Sequence, residues 1–303
     1  MPHTLRYLQL DVFTSTPFEG NQLAVFPDAP DLPATVMQRI AAEMAFSEST
    51  FIFPPAAGGD VRMRIFTPGA ELPMAGHPTI GSTFALAAEG AIPRGREAVV
   101  FELGVGPIDV ALEWAADGLS FAWMTQLRPT FGATITNPAA LATAVGLDLS
   151  DLDTDHPAQV VSCGVPFFFL PLRTRTAVDA TVVDRRALSR VYADAGLEEL
   201  ALFVFSPERG SGEETVYSRM LAPGFGIAED PATGGASGPL GCYLLEHGFV
   251  SAEDARQMLS LQGVAMGRPS RIHISIDSHG GEITRVRVGG QSVLVGRGEL
   301  YLR

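Results

Sequence analysis

The chain has 303 residues, of which 46% are hydrophobic and 18% charged, so it is long enough for one large domain or two of ordinary size. Its net charge of -13 disfavours nucleic acid and anionic membranes as partners, since both attract clustered basic residues. All 21 basic residues are Arg, which excludes the mechanisms that need a lysine: pyridoxal aldimines, Schiff-base aldolases and Walker A phosphate clamps.

Strand patterns dominate the first half of the chain. Residues 6–13 alternate with period two, residues 32–49 have the spacing of an amphipathic helix ending near Ala45, and four strand-like stretches follow. These stretches are 49–55, 61–68, 98–114 and 118–124.

The second half begins with a turn-rich passage from Arg128 and then alternates strands with helices. We predict helices within 137–152, around 185–196 and from Gly238. The predicted strands are 158–172, 200–207, 214–223, 271–277, 282–290 and 292–302.

Nothing in the sequence indicates export or membrane insertion. The N-terminus lacks a basic segment followed by an apolar one, and no apolar run approaches the roughly 20 residues of a membrane helix. Cys163 and Cys242 give neither a disulfide framework nor a zinc spacing, and their apolar neighbours predict buried, inert thiols. We therefore expect a cytoplasmic protein.

Two segments half a chain apart follow one plan. Each has Arg, two apolar residues, a small residue and Pro-Gly, then a turn of small residues and an apolar helix closed by Glu. The matched pairs, all 157 positions apart, are Ala75 with Ala232, Gly81 with Gly238 and Glu89 with Glu246. This repeat predicts two related domains, each a strand-rich sheet around one apolar helix.

The two turns of small residues precede these helices. A helix N-terminus offers unpaired N–H groups and a partial positive charge, so it binds carboxylates well, and Gly or Ala lets a ligand approach the backbone. Tight packing of strand against helix explains a single such turn better, but their duplication raises the case for a function of the pair.

Three residues are candidates for acid/base chemistry. His77 lies at the start of the first apolar helix, where an imidazole can transfer a proton near neutral pH, although a lone His is more often structural. Asp230 precedes Pro231 at the matching turn, where helix capping is the alternative. Glu48 stands between Phe46 and Phe51, whose apolar surroundings would raise its pKa, although a solvated turn is the alternative.

Other motifs are weak or absent. Asn21 is either a turn residue or a polar contact for a substrate. His273, Asp277 and His279 are imaginable metal ligands, but His279 falls in a Gly-rich turn, so we interpret all three as structural and predict no metal site. No dinucleotide fingerprint, P-loop, zinc-protease motif or nucleophile elbow is present.

The sequence resembles the PhzF-like proteins of phenazine biosynthesis, which share their fold with diaminopimelate epimerase and proline racemase. The resemblance runs from about residue 5 to the C-terminus. It rests on "GNQLAVF", "FSESTFI", "ELPMAGHPTIGS", "EDPATGGASGPL" and "QGVAMGRPSRIHI", in this order.

The resemblance implies an α+β fold of two pseudo-symmetric domains, each a mixed sheet or barrel curled around a central helix. On this basis we predict an N-terminal domain at 1–125, joined by a strand at about 292–303, and a C-terminal domain at 126–291. It also implies a homodimer, no cofactor and an active site in the cleft between the domains.

The resemblance also implies roles for individual residues. A glutamate that carries a proton between carbons of dihydrohydroxyanthranilate corresponds to Glu48. His77 and Asp230 match its supporting polar residues, while Gly76 and Gly234 match the backbone donors of the two turns. Gly235 belongs to the same substrate-binding turn, and Asn21 is a further substrate contact.

Two positions depart from the family, and further ones differ from the related epimerases. Gly235 stands where a Ser is usual, which removes an expected hydroxyl, and Gln22 replaces a frequent Pro. Related epimerases carry a Cys at each turn, but here Ala75 and either Gly235 or Ala236 occupy those places, which excludes racemisation by two cysteines.

The predicted function is a cofactor-independent isomerisation of a small carboxylate-bearing substrate, with Glu48 as the proton shuttle. One-base epimerisation and dehydration of an amino or hydroxy acid are alternatives, as is a catalytically silent binding protein. The sequence leaves open the substrate, the pathway and whether a dimer is needed.

Overall fold

The computed structural model describes residues 3–29, 32–207, 210 and 212–302. The chain divides into two compact units. The first comprises Met1–Thr125 with Val288–Arg303, and the second comprises Gln126–Arg287.

Among residues 3–29 and 32–126, the structure has eight strands and two helices. They are β1 (His3–Val12), β2 (Asn21–Phe26), α1 (Ala34–Met44), β3 (Glu48–Phe53), β4 (Val61–Phe66), β5 (Glu71–Leu72), α2 (Gly76–Ala88), β6 (Ala98–Leu103), β7 (Gly106–Ala115) and β8 (Gly118–Gln126).

In the described residues after β8, the elements are ten strands, four helices and four 3-10 turns. The strands and helices are β9 (Thr130–Ile135), α3 (Pro138–Ala144), β10 (Ala158–Ser162), β11 (Pro166–Pro171), α4 (Arg175–Ala180), α5 (Arg185–Asp194), β12 (Ala201–Ser206), β13 (Val216–Ala222), β14 (Ile227–Asp230), α6 (Gly234–Glu246), β15 (Met258–Gln262), β16 (Ser270–His279), β17 (Glu282–Gly290) and β18 (Ser292–Leu302). The 3-10 turns are Leu149–Asp151, Pro223–Phe225, Asp254–Arg256 and Val264–Met266.

In the first unit, β1 lies antiparallel between β18 and β2. Strand β3 pairs parallel with β2 and antiparallel with β4, which also pairs with β5 and, in parallel, with β6. Strands β7 and β8 continue antiparallel from β6. Each parallel pairing needs a crossover, and helices α1 and α2 lie on the two crossovers, from β2 to β3 and from β4 to β6.

Helix α2 is almost entirely buried, from Gly76 to Leu86, and it packs against β1, β2, β3 and β18. A Cβ on Gly81 would lie 2.5 Å from Leu23 Cδ2 and 2.7 Å from Val12 Cγ2, so this close approach needs a glycine. The hydroxyls of Thr79 and Thr83 donate to carbonyls one turn earlier in the helix, so burying them leaves no orphaned donor.

Helix α1 packs on a separate aromatic cluster of the same unit. Phe51 stacks on Phe26 at 4.7 Å between ring centroids and meets Phe66 edge-on at 5.6 Å, with Met37 and Ile40 of the helix in the same core. Side chains alternate along β3, so its Phe51 face covers α1 while its Thr50 face bonds Ser82 of α2 at 2.9 Å.

In the second unit, β9, β10 and β11 run antiparallel in that order. Strand β12 pairs parallel with β11 and antiparallel with β13, which also pairs with β14 and, in parallel, with β15. Strand β16 continues antiparallel from β15. Helix α6 packs against β10, β11 and β16, and a Cβ on its Gly241 would lie 2.5 Å from Ile274 Cγ2.

The prediction of an α+β chain dominated by strands is confirmed. Four local predictions were wrong. The turn-rich passage after Arg128 contains strand β9, α6 begins at Gly234 rather than at Gly238, and the predicted strands 98–114 and 158–172 are each two strands. The short helix α4 at Arg175–Ala180 lies in a stretch for which no element was predicted. Within the described ranges, no helix is both long and apolar enough to cross a membrane.

Candidate active site

Three polar side chains of the first unit meet where β2, β3 and α2 begin. Glu48 is the first residue of β3, His77 the second of α2 and Asn21 the first of β2. Glu48 Oε2 lies 3.2 Å from His77 Nε2, and Asn21 Nδ2 lies 3.3 Å from His77 Nδ1. The side chains of His77 and Glu48 are only 4% and 16% exposed, so the imidazole joins two largely buried polar groups.

The fold directs Glu48 towards α2. Helix α1 ends at Ala45, which adopts the left-handed conformation at φ 54°, and β3 then pairs with β2 so that Glu48 lies opposite Leu23. Glu48 shares its face of the strand with Thr50. Phe51 points to the other face, so the start of α2, rather than Phe51, desolvates the carboxyl group.

Asn21 is fixed by the turn that precedes it. Gly20 has φ +66°, and a Cβ there would lie 2.3 Å from the Val12 carbonyl oxygen, so this position requires a glycine. Asn21 then pairs with Val12 in the sheet and is 1% exposed. The Gly-Asn pair therefore sets the amide against the imidazole.

The charge state of His77 differs from the sequence-based expectation. Burial lowers the pKa of His77 to about 3, and a hydrogen bond with the Gln22 backbone only partly opposes this effect. The imidazole is thus neutral near pH 7 and does not titrate there, which corrects the expectation of proton transfer by His77 near neutral pH. Glu48 Oε2 therefore lies 3.2 Å from an uncharged ring, and the two groups form a polar contact rather than an ion pair.

A second polar cluster lies in the second unit, where β14 leads into α6. Asp230 ends β14 and is 6% exposed, and its Oδ2 accepts a 2.6 Å hydrogen bond from the hydroxyl of Thr233. Gln262, at the end of β15, contacts both residues: its Nε2 donates to the Asp230 carbonyl at 2.8 Å and to Thr233 Oγ1 at 3.0 Å. Its Oε1 accepts from the Thr233 backbone N–H at 3.0 Å.

Helix α6 begins directly after this cluster with two glycines. Gly234 is buried and its carbonyl accepts a hydrogen bond from Gln126, whereas Gly235 is partly exposed. A Cβ on Gly235 would meet only the ring of Phe167, at 3.8 and 3.9 Å. The helix start therefore exposes backbone at Gly235 and has room for a side chain there.

The predicted site residues thus fall into two groups, one in each compact unit. Glu48, His77 and Asn21 form one cluster, with Gly76 buried at the first position of α2. In the second unit, Asp230, Gly234 and Gly235 lie within six residues of one another along the chain.

Sequence reasoning did not single out Thr233 and Gln262. Both stand inside motifs that carried the resemblance, "EDPATGGASGPL" and "QGVAMGRPSRIHI", but their contact joins residues 29 positions apart. The one local signal for Gln262 was its position between an apolar strand and a Gly.

In the part of the chain that the structure describes, no group of side chains is arranged for metal binding or for thiol chemistry. Within residues 3–29, 32–207, 210 and 212–302, no three side chains of His, Cys, Asp or Glu are grouped to hold a metal ion. His279 is the last residue of β16 rather than part of the turn. Cys163 and Cys242 are free and buried, with Sγ atoms 3.9 Å apart, and their hydrogen bond together with burial raises the pKa of Cys242.

Known proteins resemble this chain over its whole length. The trans-2,3-dihydro-3-hydroxyanthranilate isomerase of Pseudomonas fluorescens is 39% identical over 98% of this chain and 99% of its own. Two solved structures each cover 98% of this chain and 99% of theirs. A Bacillus anthracis phenazine biosynthesis protein of the PhzF family has a TM-score of 0.87 at 25% identity, and a protein of Pseudomonas aeruginosa described as a predicted epimerase has 0.81 at 33%.

The family model described as "Phenazine biosynthesis-like protein", PhzC-PhzF, matches residues 10–298. This range contains every residue of both polar clusters. The chain therefore belongs to the PhzC-PhzF family of phenazine biosynthesis-like proteins, and it is an isomerase.

Proposed function

We propose that this isomerase moves a proton between two carbons of a small carboxylate-bearing substrate, without a cofactor, and that Glu48 carries the proton. The contact of 3.2 Å between Glu48 Oε2 and the neutral His77 imidazole is the observation that supports this most. A carboxyl group that is mostly removed from water and held by a neutral partner is suited to accept and return a proton.

The proposed step conserves atoms and electrons. The Glu48 carboxylate takes a proton from an sp3 carbon next to a double bond, and the electron pair of the broken C–H bond forms the new π bond. The old π pair takes up a proton from the Glu48 carboxylic acid at the far carbon. Nothing is oxidised or reduced, and the absence of Lys is consistent with a mechanism without an aldimine.

We propose that backbone N–H groups at a helix start bind the substrate carboxylate, and the candidates are Gly234 and Gly235 at the start of α6 and Gly76 at the start of α2. Asp230 would orient a hydrogen-bond donor of the substrate, and Asn21 would hold His77 in place and contact the substrate. The partial exposure of Gly235 supports its place in this site, since a ligand can reach the backbone there.

The substrate class is inferred from relatives. Proteins of three Pseudomonas species, 37–39% identical to this chain, are named trans-2,3-dihydro-3-hydroxyanthranilate isomerases. We propose this compound as the first substrate to test. Gly235 stands where the family resemblance implies a Ser, so a hydroxyl that would contact such a substrate is missing. The test therefore asks whether the chain turns over this compound without that hydroxyl.

We also propose that the two compact units are related domains, at 1–125 with about 292–303 and at 126–291. The supporting observation is that each unit has the same sequence of pairings. In each unit, two antiparallel strand pairings are followed by a parallel pairing and then by an antiparallel one. The strand reached in this way pairs both with a short strand and, in parallel, with one further strand. Each unit also has one buried helix. A site between the domains, a central helix in each, a homodimer and a cytoplasmic location stay predictions.

Proton NMR in heavy water tests the proposed function. The protein is incubated with trans-2,3-dihydro-3-hydroxyanthranilate and, separately, with a set of amino and hydroxy acids. A shifted double bond in the first compound supports the proposal. Deuterium at Cα without a shifted double bond would instead support epimerisation, the activity that the name of the 33% identical relative suggests. A keto acid would indicate dehydration.

A binding protein without activity is the remaining alternative. No change in any compound, together with a rise in melting temperature on adding one of them, would contradict the proposed reaction and support that alternative.

A further inference from the structure

Gln262 is a fully buried polar residue that the proposed reaction does not use directly. It is 0% exposed and ends β15, where its backbone lies between Ser218 of β13 and Ser270 of β16. Strands on both sides therefore fix the point from which its side chain starts. A buried amide is expensive unless all its groups are bonded, so each of its contacts carries information.

The orientation of the Gln262 amide follows from its backbone partners. Oε1 faces the N–H of Thr233 and Nε2 faces the carbonyl of Asp230, at 3.0 and 2.8 Å. A flipped amide would set donor against donor and acceptor against acceptor, so only one assignment is chemically consistent. The second Nε2 hydrogen then points to Thr233 Oγ1 at 3.0 Å.

This donation determines the direction of the next hydrogen bond. Because Thr233 Oγ1 accepts from Gln262, its own single proton is free to go to Asp230 Oδ2, 2.6 Å away. The chain of donors runs from Gln262 through Thr233 to Asp230, and it favours Asp230 as an ionised acceptor.

The neighbouring glycine keeps the three residues together. Gly263 has φ +75°, and a Cβ there would lie 2.4 Å from the Arg268 carbonyl oxygen and 2.5 Å from that of Pro231. The chain after Gln262 therefore passes directly against the residue that follows Asp230. The contact between the two segments depends on backbone as well as side chains.

We propose that Gln262 is a positioning residue that, through the hydroxyl of Thr233, holds Asp230 as a hydrogen-bond acceptor for the substrate. The inference rests on the proposed function for the role of Asp230, whereas the hydrogen-bond direction rests on contacts alone. Gln262 itself touches no reacting atom in this account.

The test uses two variants that break the chain of donors at different points. Gln262→Met keeps the length of the side chain and removes its hydrogen bonds, and Thr233→Val removes the hydroxyl. Thr233→Ser retains the hydroxyl and should recover function. The matched control is Ser260→Ala, two residues earlier in β15, which breaks a buried 3.0 Å hydrogen bond to Ser218 without touching Asp230.

The first readout needs no substrate. In protein labelled selectively at threonine, the Thr233 hydroxyl proton should exchange slowly enough with water to be seen by NMR in wild type and in Ser260→Ala. It should be lost in Gln262→Met, because the hydroxyl is no longer oriented. Persistence of this signal in Gln262→Met would overturn the proposal, whatever the protein's activity.

The second readout is turnover of trans-2,3-dihydro-3-hydroxyanthranilate. We expect kcat/KM to fall about 10- to 100-fold in Gln262→Met and in Thr233→Val, and little in Ser260→Ala. The double variant should be no worse than the poorer single one, since both act through Asp230. Effects that multiply would contradict the inference. Wild type without turnover would contradict the proposed function instead, and the hydroxyl signal would still decide the role of Gln262.

Discussion

At the level of single residues, the protonation of His77 decides what Glu48 can do. A cationic imidazole 3.2 Å away would hold Glu48 as a carboxylate and oppose the protonated form that a proton carrier must pass through. Burial removes that cation by lowering the pKa of His77 to about 3. The neutral ring still lies against the carboxyl group, but it adds no positive charge there.

The same pKa predicts how stability depends on pH. His77 has a pKa near 6.5 when unfolded and about 3 when folded, so below pH 6.5 the unfolded state takes up a proton that the folded state does not. The stability associated with the neutral ring is complete above pH 6.5 and is lost as the pH falls towards 3. Between pH 7 and pH 5 the free energy of unfolding should fall by about 2 kcal/mol from this residue.

Urea unfolding at several pH values measures this dependence. His77→Gln should have a flatter profile over the same range, although it is less stable at pH 7. His279→Gln, at an exposed position, should keep the slope of the wild type. A wild-type slope that His77→Gln leaves unchanged would show that His77 titrates normally in the folded protein.

The sequence named candidate residues but not their contacts. Glu48, His77, Asp230 and Asn21 were candidates because they lie in the motifs that carry the family resemblance, and their roles stay predictions. The environment of Glu48 was misjudged, because a neighbour three positions along a strand points to the opposite face. Gln262 went unnoticed because its role depends on strand pairing between distant segments.

At the level of elements, two glycines of the buried helix α6 differ in how closely their surroundings approach. Gly241 of α6 lies against Ile274, where a Cβ would come within 2.5 Å of a branched, buried side chain. Gly235, in the first turn of the same helix, has ordinary contact distances to one aromatic ring. The first glycine is needed for packing, and the second is not.

Alanine at these two positions should therefore have opposite effects. Gly235→Ala should leave the free energy of unfolding unchanged or raise it by up to about 1 kcal/mol, because Ala favours the helix. Gly241→Ala should lower it by about 1–3 kcal/mol through overpacking. Chemical denaturation of both variants checks this, and a loss of stability in Gly235→Ala as large as in Gly241→Ala would contradict it.

Some elements were not predictable from local pattern. Residues of β9 up to Thr134 are exposed, so the strand forms through backbone pairing with β10 and shows no apolar alternation. Helix α4 has six residues, too few for a periodic signal, and is capped by Thr174. The first turn of α6 is rich in glycine, which resembles a loop, yet Ala236 and Ser237 donate N–H groups to the Thr233 carbonyl.

At the level of the whole molecule, the internal repeat predicted two related domains, and the family resemblance implied the α+β fold. A match of small-residue turns 157 positions apart was visible in the sequence, and the two units have corresponding strand pairings. Repetition of a pattern is informative because two independent segments have to agree. No comparable signal in one sequence reveals how copies of the chain assemble.

The homodimer implied by the family resemblance has a direct check. Light scattering on the purified protein should give a molar mass twice the 32.1 kDa of one chain. A mass of one chain at micromolar concentration would contradict the predicted dimer. It would leave the chemistry proposed for Glu48 untouched, since its neighbour His77 and the Asn21 that contacts His77 lie in the same chain.

The central claim is that Glu48 carries the proton, and the comparison of Glu48→Gln with wild type tests it most directly. The amide keeps the size of the side chain but cannot take up the substrate proton. We expect turnover of the substrate that NMR identifies to fall by about 10²–10⁴-fold, while the dissociation constant of a bound ligand changes little. The control is Glu43→Gln on the exposed face of α1, which should behave as wild type. Turnover preserved in Glu48→Gln with binding lost would contradict the account.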